Sequence, residues 1–144
     1  MPGYNYHRLF NYAIFIIIAF LMYEWGITSI NLKHLLVFSA GYYAGTEFIT
    51  PDLDTDSTPY KKWGRLKILW LPYKWLFQHG KSSHNIMYGA IVRIIYVSAI
   101  ILGIYYLLFK SLPPGSMISS LFFIVFIIGI IIANAMHILL DFLF

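Results

Sequence analysis

The chain contains no cysteine among its 144 residues, and only 11% of its residues are charged. The missing cysteine excludes disulfides, thiolate zinc sites and cysteine nucleophiles. Soluble domains carry about 25% charged residues, so the scarcity of charge excludes an ordinary soluble, disordered or nucleic-acid-binding chain. No glycine-rich phosphate loop is present, which leaves a nucleotide-binding enzyme without support. Apolar residues are abundant instead: 60% of the residues are hydrophobic and 19% are aromatic. This composition predicts a membrane protein.

Four apolar stretches predict an all-α, polytopic membrane protein that forms one domain over residues 1–144. Runs of about 20 apolar residues are typical of transmembrane helices. The predicted spans of this four-helix bundle cover about residues 9–25, 35–49, 86–109 and 117–140. The second span is the least apolar, and the turn signal Pro113-Pro114-Gly115 separates the last two spans.

The loop over residues 50–83 carries six of the ten basic residues. The positive-inside rule places this loop in the cytoplasm. An even number of spans then puts both termini in the cytoplasm, which predicts a multi-pass protein of the cell membrane. Within the loop, the stretch from Leu66 to Phe77 is aromatic and basic but too short to span, and it is interpreted as a segment that lies in the membrane interface.

Most imidazole and carboxylate side chains fall at the predicted cytoplasmic ends of the spans. His137 and Asp141 are four residues apart and share one helix face. His34 lies about 27 Å from Asp52 along a straight helix and is predicted not to join the group. Asp56 is the weakest candidate because it is equally suited to capping its turn. The predicted metal ligands are His7, Asp52, Asp54, His79, His84, His137 and Asp141.

Imidazole and carboxylate groups without thiolate form the ligand sets of zinc, manganese and non-haem iron sites. We therefore predict a divalent metal, with zinc first and manganese or iron as alternatives. Seven candidate ligands exceed the three or four of one catalytic zinc, which favours two ions. Taken singly, an Asp-x-Asp pair in a loop is usually a solvated turn, and His-x4-His does not place both rings on one helix face. The convergence of these motifs with His-x3-Asp at one level favours the metal site.

Small residues at intervals of four predict close packing of the second and fourth spans, because small side chains let helices approach in lipid. They are Gly41, Gly45, Gly129 and Ala133. Asn134 is predicted to contact His137 and orient it without itself binding the metal. Glu47 and Arg93 are ionisable residues within spans, and three readings stay open: a pair with each other, contacts with the ligands, or a purely structural pair.

The string from Pro51-Asp52-Leu53-Asp54 through Leu69-Trp70-Leu71-Pro72-Tyr73 to Tyr96 resembles an uncharacterised family of bacterial and archaeal membrane proteins described as metal-binding. The order Pro-Asp-x-Asp, His-x4-His and His-x3-Asp also resembles a broader group of membrane-bound metal-dependent hydrolases. That group is distantly similar to the zinc-dependent phospholipase C and P1 nuclease group. The first family usually has His-Arg where this chain has His79-Gly80, so Lys81 would have to stand in for the arginine.

The resemblance and the predicted site together favour a membrane-embedded, metal-dependent hydrolase of phosphoesters or lipid head groups. Candidate residues for binding an anionic lipid or phosphoester substrate are Lys61, Lys62, Arg65 and Lys81. Positive-inside topology accounts for these four residues equally well. The alternative is a non-catalytic membrane protein with a structural metal clamp. A metal transporter is disfavoured because transporter sites lie near the bilayer midplane. The expected partner is the lipid bilayer, and no nucleic-acid partner is expected.

Overall fold

The computed structural model describes residues 3–25, 32–77, 86–115 and 120–144, and these ranges contain helices and no strands. The all-α prediction is therefore confirmed for the described residues. The α-helices are α1 (Tyr4–Glu24), α2 (Leu32–Glu47), α3 (Thr58–Lys62), α4 (Leu71–Leu76), α5 (Ile86–Phe109) and α6 (Leu121–Leu143). Two 3₁₀-helices complete the middle of the chain, the first over Pro51–Asp54 and the second over Gly64–Trp70.

Three helices in the described ranges are long and apolar enough to cross a membrane, over Tyr4–Glu24, Ile91–Phe109 and Leu121–Leu143. The predicted second span is wrong. Its helix, α2, has 16 residues, which cover about 24 Å at 1.5 Å per residue, whereas the hydrocarbon layer is about 30 Å thick. The even number of spans that placed both termini in the cytoplasm thus lacks support, and the topology stays a prediction. The two ends of the described chain nevertheless lie together, because His7 of α1 contacts Asp141 of α6.

The last helix, α6, contacts α1, α2 and α5, and its contact with α2 is the most extensive. Glycines make this contact close. A Cβ atom on Gly41 would lie 2.1 Å from the carbonyl oxygen of Phe126, and one on Gly129 would lie 2.5 Å from that of Phe38. The predicted packing of small residues on these two helices is confirmed.

The segment between α2 and α5 folds into short helices around its own aromatic core. Ser57 begins α3 by accepting a hydrogen bond from the backbone N–H of Tyr60, and Gly64 begins the second 3₁₀-helix at a φ of +54°, which glycine adopts without a steric penalty. Trp70 and Tyr73 are buried, so the predicted interfacial segment has only one side left for the membrane. The core consists of Leu53, Tyr60, Trp70 and Tyr73.

Candidate metal centre

Helices α1 and α6 bring two imidazoles and a carboxylate together at one end of the described structure. The rings of His7 and His137 stack with centroids 3.8 Å apart and planes 8° from parallel. Oδ1 of Asp141 lies 3.2 Å from Nε2 of His7, and Oδ2 lies 3.6 Å from Nε2 of His137. One ligand atom from each residue lies within 4.8 Å of the other two. Both histidines are buried. By these distances the structure brings together three of the predicted ligands.

Asp52 approaches this group from the side of His137. Its Oδ1 atom lies 3.5 Å from Nε2 of His137, and its side chain is 19% exposed. The first 3₁₀-helix fixes the backbone there, because Pro51 stands in its first turn and the backbone carbonyl of Asp52 accepts hydrogen bonds from the hydroxyls of Thr55 (3.1 Å) and Ser57 (2.7 Å). The local sequence thus holds a fourth predicted ligand beside the centre.

The distances between donor atoms fit a divalent metal. N–H···O hydrogen bonds usually measure about 2.7–3.2 Å, whereas Nε2 of His137 lies 3.5 Å from Asp52 and 3.6 Å from Asp141. Ligands about 2.1 Å from a tetrahedral zinc ion stand about 3.4 Å apart. Asp52 and Asp141 also carry two negative charges when ionised, which balance a divalent cation. Two imidazoles and the carboxylate of Asp141 are therefore a suitable ligand set between α1 and α6. Asp52, on the first 3₁₀-helix, is placed either to complete this set or to act on a water beside the ion.

Asn11, one turn after His7 on α1, fixes the position of that histidine. The side-chain amide of Asn11 donates hydrogen bonds to Oγ1 of Thr46 (3.2 Å) and to the carbonyl oxygen of Ala133 (3.1 Å). The hydroxyl of Tyr42 donates to the backbone carbonyl of Asn11 (2.9 Å). Asn11 is 1% exposed, so these bonds form without competition from water and join α1 to α2 and α6.

A second set of polar contacts joins α1 to the end of α2 through Glu47, which is 2% exposed. Tyr4 and Tyr12 each donate a hydroxyl hydrogen bond of 2.6 Å to its carboxylate. Arg8 pairs with the same carboxylate at 2.9 Å, and Lys62 of α3 also binds it. Burial acts to lower the pKa of Lys62, but the hydrogen bond and charge of Glu47 outweigh it and raise that pKa. We call these five residues the Glu47 cluster.

Asn134 does not support His137 in the way predicted. Its amide donates hydrogen bonds to the carbonyl oxygen of Ile49 (2.8 Å) and to that of Ile130 one turn earlier. Its carbonyl oxygen accepts a hydrogen bond of 2.8 Å from the guanidinium of Arg93, which is fully buried. Asn134 therefore connects α6 and α5 to Ile49, which lies just before the first 3₁₀-helix.

Arg93 and Glu47 belong to different networks, so a pair between them, one of the three readings that the sequence left open, is not seen among the described contacts. Arg93 donates a hydrogen bond of 3.3 Å to the hydroxyl of Tyr73, and burial raises the pKa of Tyr73. The charges of Asp52 and Asp54 both act on the guanidinium. Asp54 is buried and does not belong to the three-residue group around His7, so its role as a metal ligand stays a prediction.

Other predicted residues lie away from the centre. Asp56 is exposed and pairs with Lys74 at 2.8 Å, and this hydrogen bond lowers the pKa of Asp56. It neither joins the three-residue group nor caps α3, since Ser57 is the cap. The ring of His34 stacks on that of Phe122, with their centroids 4.9 Å apart. Phe122 precedes His137 on α6 by about four helical turns. The prediction that His34 lies at the opposite end from the metal ligands is confirmed.

Three of the four predicted anion-binding residues lie among the described residues. Lys62 is held by Glu47, whereas Lys61 and Arg65 are exposed. The predicted ligands His79 and His84, and the predicted anion-binding residue Lys81, lie outside the described residues.

Sequence reasoning missed the donors of the Glu47 cluster. Tyr4, Arg8 and Tyr12 follow one another at intervals of four, which places them on one stripe of α1. This spacing was a readable signal for a polar stripe on an otherwise apolar helix. Its partner could not be read in the same way, because Glu47 is 43 residues from Tyr4 along the chain.

The described residues thus define an all-helical protein with a buried histidine and carboxylate centre. The chain belongs to the family described as uncharacterized metal-binding protein (DUF2227), whose profile matches residues 2–144. An uncharacterized protein of Aquifex aeolicus (strain VF5) is 33% identical over 125 aligned residues, which cover 72% of this chain and 86% of the relative. No solved structure matches the chain. Family membership supports metal binding, but neither comparison identifies the metal or relates the chain to the phospholipase C and P1 nuclease group.

Proposed function

We propose that this protein is a membrane-embedded, metal-dependent hydrolase that acts on phosphoesters, with lipid head groups as the substrate class. The observation that carries the proposal is the cluster of His7, His137 and Asp141, whose ligand atoms lie within 4.8 Å of one another. Three protein ligands drawn from histidine and carboxylate are typical of catalytic zinc sites, whereas structural zinc sites are mostly built from cysteine. This chain has no cysteine.

Asp52 is the residue that decides between catalysis and simple binding. A divalent metal held by the other three residues would supply Lewis acidity and activate water near neutral pH. Asp52 stands beside His137 and is more exposed than Asp141, with side-chain exposures of 19% and 7%. We assign it the role of a general base that orients and deprotonates the attacking water. The exposed basic residues Lys61 and Arg65 support an anionic substrate.

The test measures bound metal and hydrolysis in the same purified preparations. In detergent or lipid nanodiscs, metal content is determined by elemental analysis, and hydrolysis is measured with bis(p-nitrophenyl) phosphate and with a glycerophospholipid. His7→Ala should lose both metal and activity, whereas Asp52→Asn should keep the metal and lose activity. His34→Ala is the matched control and should change neither. Full metal loading without hydrolysis of either substrate would overturn the proposal.

A structural metal clamp is the second candidate, and one observation favours it. Only His7 and Asn11 of α1 are buried, so a metal held by His7 would contribute much of the attachment of this helix. In this case Asp52 is a fourth ligand that closes the coordination sphere. Asp52→Asn would then lower metal content, which is the result that separates the two candidates.

A further inference from the structure

The short helices between α2 and α5 bury some of their apolar side chains and expose others. Trp70 and Tyr73 are 1% and 0% exposed. The side chains that surround them in sequence are instead open to the surface: Leu66 (57%), Ile68 (63%), Trp75 (81%) and Leu76 (73%). We call these four residues the apolar side of the segment. Exposed apolar side chains grouped in one short segment are unusual in a surface that faces water.

The segment lies against the first turns of a helix that can cross a membrane. The hydroxyl of Tyr96 donates a hydrogen bond to the carbonyl oxygen of Leu69. The ring of Tyr96 also lies 5.5 Å from that of Trp70 and 5.7 Å from that of Tyr73. Tyr96 stands near the start of the apolar stretch Ile91–Phe109. If this stretch crosses the bilayer, the segment is held at the level where hydrocarbon meets head groups.

Basic residues accompany the apolar side. Lys61, Arg65 and Lys67 are exposed. Lys74 forms an ion pair with Asp56 at 2.8 Å. Asp56 is the one acidic residue between residues 55 and 77. The segment therefore presents a net positive charge beside its apolar side, and anionic lipid head groups attract such a combination.

We propose that the segment from Lys61 to Leu76 docks on the anionic lipid surface of the membrane that α5 enters. Leu66, Ile68, Trp75 and Leu76 insert below the head groups, and Lys61, Arg65 and Lys67 contact lipid phosphates. This proposal concerns a surface and not the metal centre. It shares Lys61 and Arg65 with the proposed substrate binding, but label depth tests it without any measurement of hydrolysis. A protein partner on the same surface is the competing occupant.

The absence of native cysteine allows a single spin label to test the docking. Leu76→Cys and, separately, Ile68→Cys are labelled in the full chain, and the protein is placed in nanodiscs of phosphatidylcholine with or without phosphatidylglycerol. Collision with oxygen, which partitions into lipid, is compared with collision with a water-soluble nickel reagent. We expect both labels to favour oxygen, at a depth shallower than a reference label at the exposed Ile101→Cys, in the middle of the apolar stretch Ile91–Phe109. Labels that favour the nickel reagent in both lipids would overturn the proposal and favour a protein partner.

The role of charge is tested by neutralising the basic residues. With phosphatidylglycerol present, the labels should move deeper, and high salt should reverse this shift because it screens surface charge. Lys61→Gln/Arg65→Gln/Lys67→Gln should abolish the shift. Lys33→Gln/Lys110→Gln, which removes two basic residues elsewhere in the chain, should preserve it. A depth that does not respond to phosphatidylglycerol in the unmodified chain would overturn the assignment of anionic lipid.

Discussion

Helices α1 and α2 both contact α6, but they are attached in different ways. The contact of α2 with α6 depends on glycines that bring the two backbones together, at Gly41, Gly45 and Gly129. The contact of α1 depends on His7 and Asn11, the only residues of this helix that are buried. In the most apolar stretch of α1 only 11% of the residues are buried, against 39% in that of α6.

The comparison matters because lipid provides no hydrophobic force that drives helices together. Close backbone packing and polar contacts are the two means that remain. The α2–α6 contact uses dispersion between closely packed atoms, which depends on shape and is insensitive to metal. The α1 contacts use hydrogen bonds, an ion-pair cluster and the proposed metal ligand His7, so we expect the position of α1 to depend on metal loading.

Two pairs of spin labels measure the two contacts separately. The α1–α6 pair is Leu9→Cys with Leu139→Cys, and the α2–α6 pair is Leu36→Cys with Ile124→Cys. All four positions are exposed, so the labels should not disturb the packing. Distances from pulsed electron resonance then show which contact has opened, and thermal melting in detergent reports total stability.

Removal of the metal should have the largest effect, and it should act on α1. A metal at about 1,000 times its dissociation constant stabilises the folded state by about 4 kcal/mol. A chelator should lower the melting temperature and broaden the α1–α6 distance, while the α2–α6 distance stays the same. Without metal, the carboxylates of Asp52 and Asp141 face each other beside His137 and repel, so Asp52→Asn/Asp54→Asn should recover part of the lost stability.

The control for metal removal is the histidine at the other end of the molecule. The chelator should act on His34→Ala as on the unmodified chain, and it should have no further effect on His7→Ala. An unchanged melting curve after metal loss, verified by elemental analysis, would mean that α1 is held without the ion.

Enlargement of a glycine should have the next largest effect, and it should act on α2. In Gly129→Ala the new Cβ would lie 2.5 Å from the carbonyl oxygen of Phe38 and 2.7 Å from the backbone nitrogen of Tyr42. Backbone atoms cannot turn aside, so we expect a loss near the upper end for overpacking, about 3 kcal/mol. The α2–α6 distance should increase in both metal-loaded and metal-free protein.

Gly103→Ala is the matched control, because a Cβ there meets nothing within 4 Å. This change should be neutral or should stabilise α5 by up to about 1 kcal/mol through helix propensity. Equal losses for Gly103→Ala and Gly129→Ala would show that close packing does not distinguish the α2–α6 contact.

The parts that could be predicted from sequence follow from spacing within one helix. The interval of four between His137 and Asp141 correctly indicated that both lie on one face of α6, and the interval between Gly129 and Ala133 correctly indicated its packed face. The second span was predicted wrongly because its apolar stretch was counted as a crossing, although the helix there, α2, has only 16 residues. Glu47 carries an ionisable carboxylate, yet the prediction included it within a span. In the structure it is the last residue of α2.

Contacts between distant residues could not be predicted. Asn134 precedes His137 by three residues, and this spacing was interpreted as support for the histidine. Its amide instead binds the carbonyl of Ile49, which is 85 residues away. Likewise, the half-burial of the middle segment depends on the docking of Trp70 and Tyr73 against Tyr96. Local sequence patterns contain no information on such pairings.

Neutralisation of Glu47 should have an intermediate effect that passes to the metal centre through His7. Glu47→Gln keeps the shape but weakens charge-assisted hydrogen bonds from Arg8 and Lys62, which we expect to cost about 2 kcal/mol. Since the donors Tyr4 and Arg8 flank His7 on α1, the histidine should be less well placed, and affinity for cobalt(II), measured by its absorption bands, should fall.

A double-mutant cycle separates positioning from general destabilisation. If Glu47 acts through His7, Glu47→Gln should lower the free energy of unfolding of the cobalt-saturated unmodified chain more than that of His7→Ala, which has lost the metal. Glu24→Gln removes a carboxylate from the exposed far end of the same helix and should leave the affinity unchanged. An equal loss in both backgrounds would show that the Glu47 cluster supports the fold without positioning the ligand.

Truncation of Asn11 should have the smallest effect and should act on α1 alone. Asn11→Ala removes amide hydrogen bonds to Thr46 and Ala133. The carbonyl of Ala133 lies inside α6 and keeps its helical partner, so the net loss should be about 1 kcal/mol. The α1–α6 distance should broaden more in metal-free protein, where His7 no longer holds the helix, and the α2–α6 distance should stay fixed. Asn5→Ala, at an exposed position of α1, should change neither distance. A loss for Asn11→Ala as large as that for Gly129→Ala, with both distances altered, would contradict the separation of the two contacts.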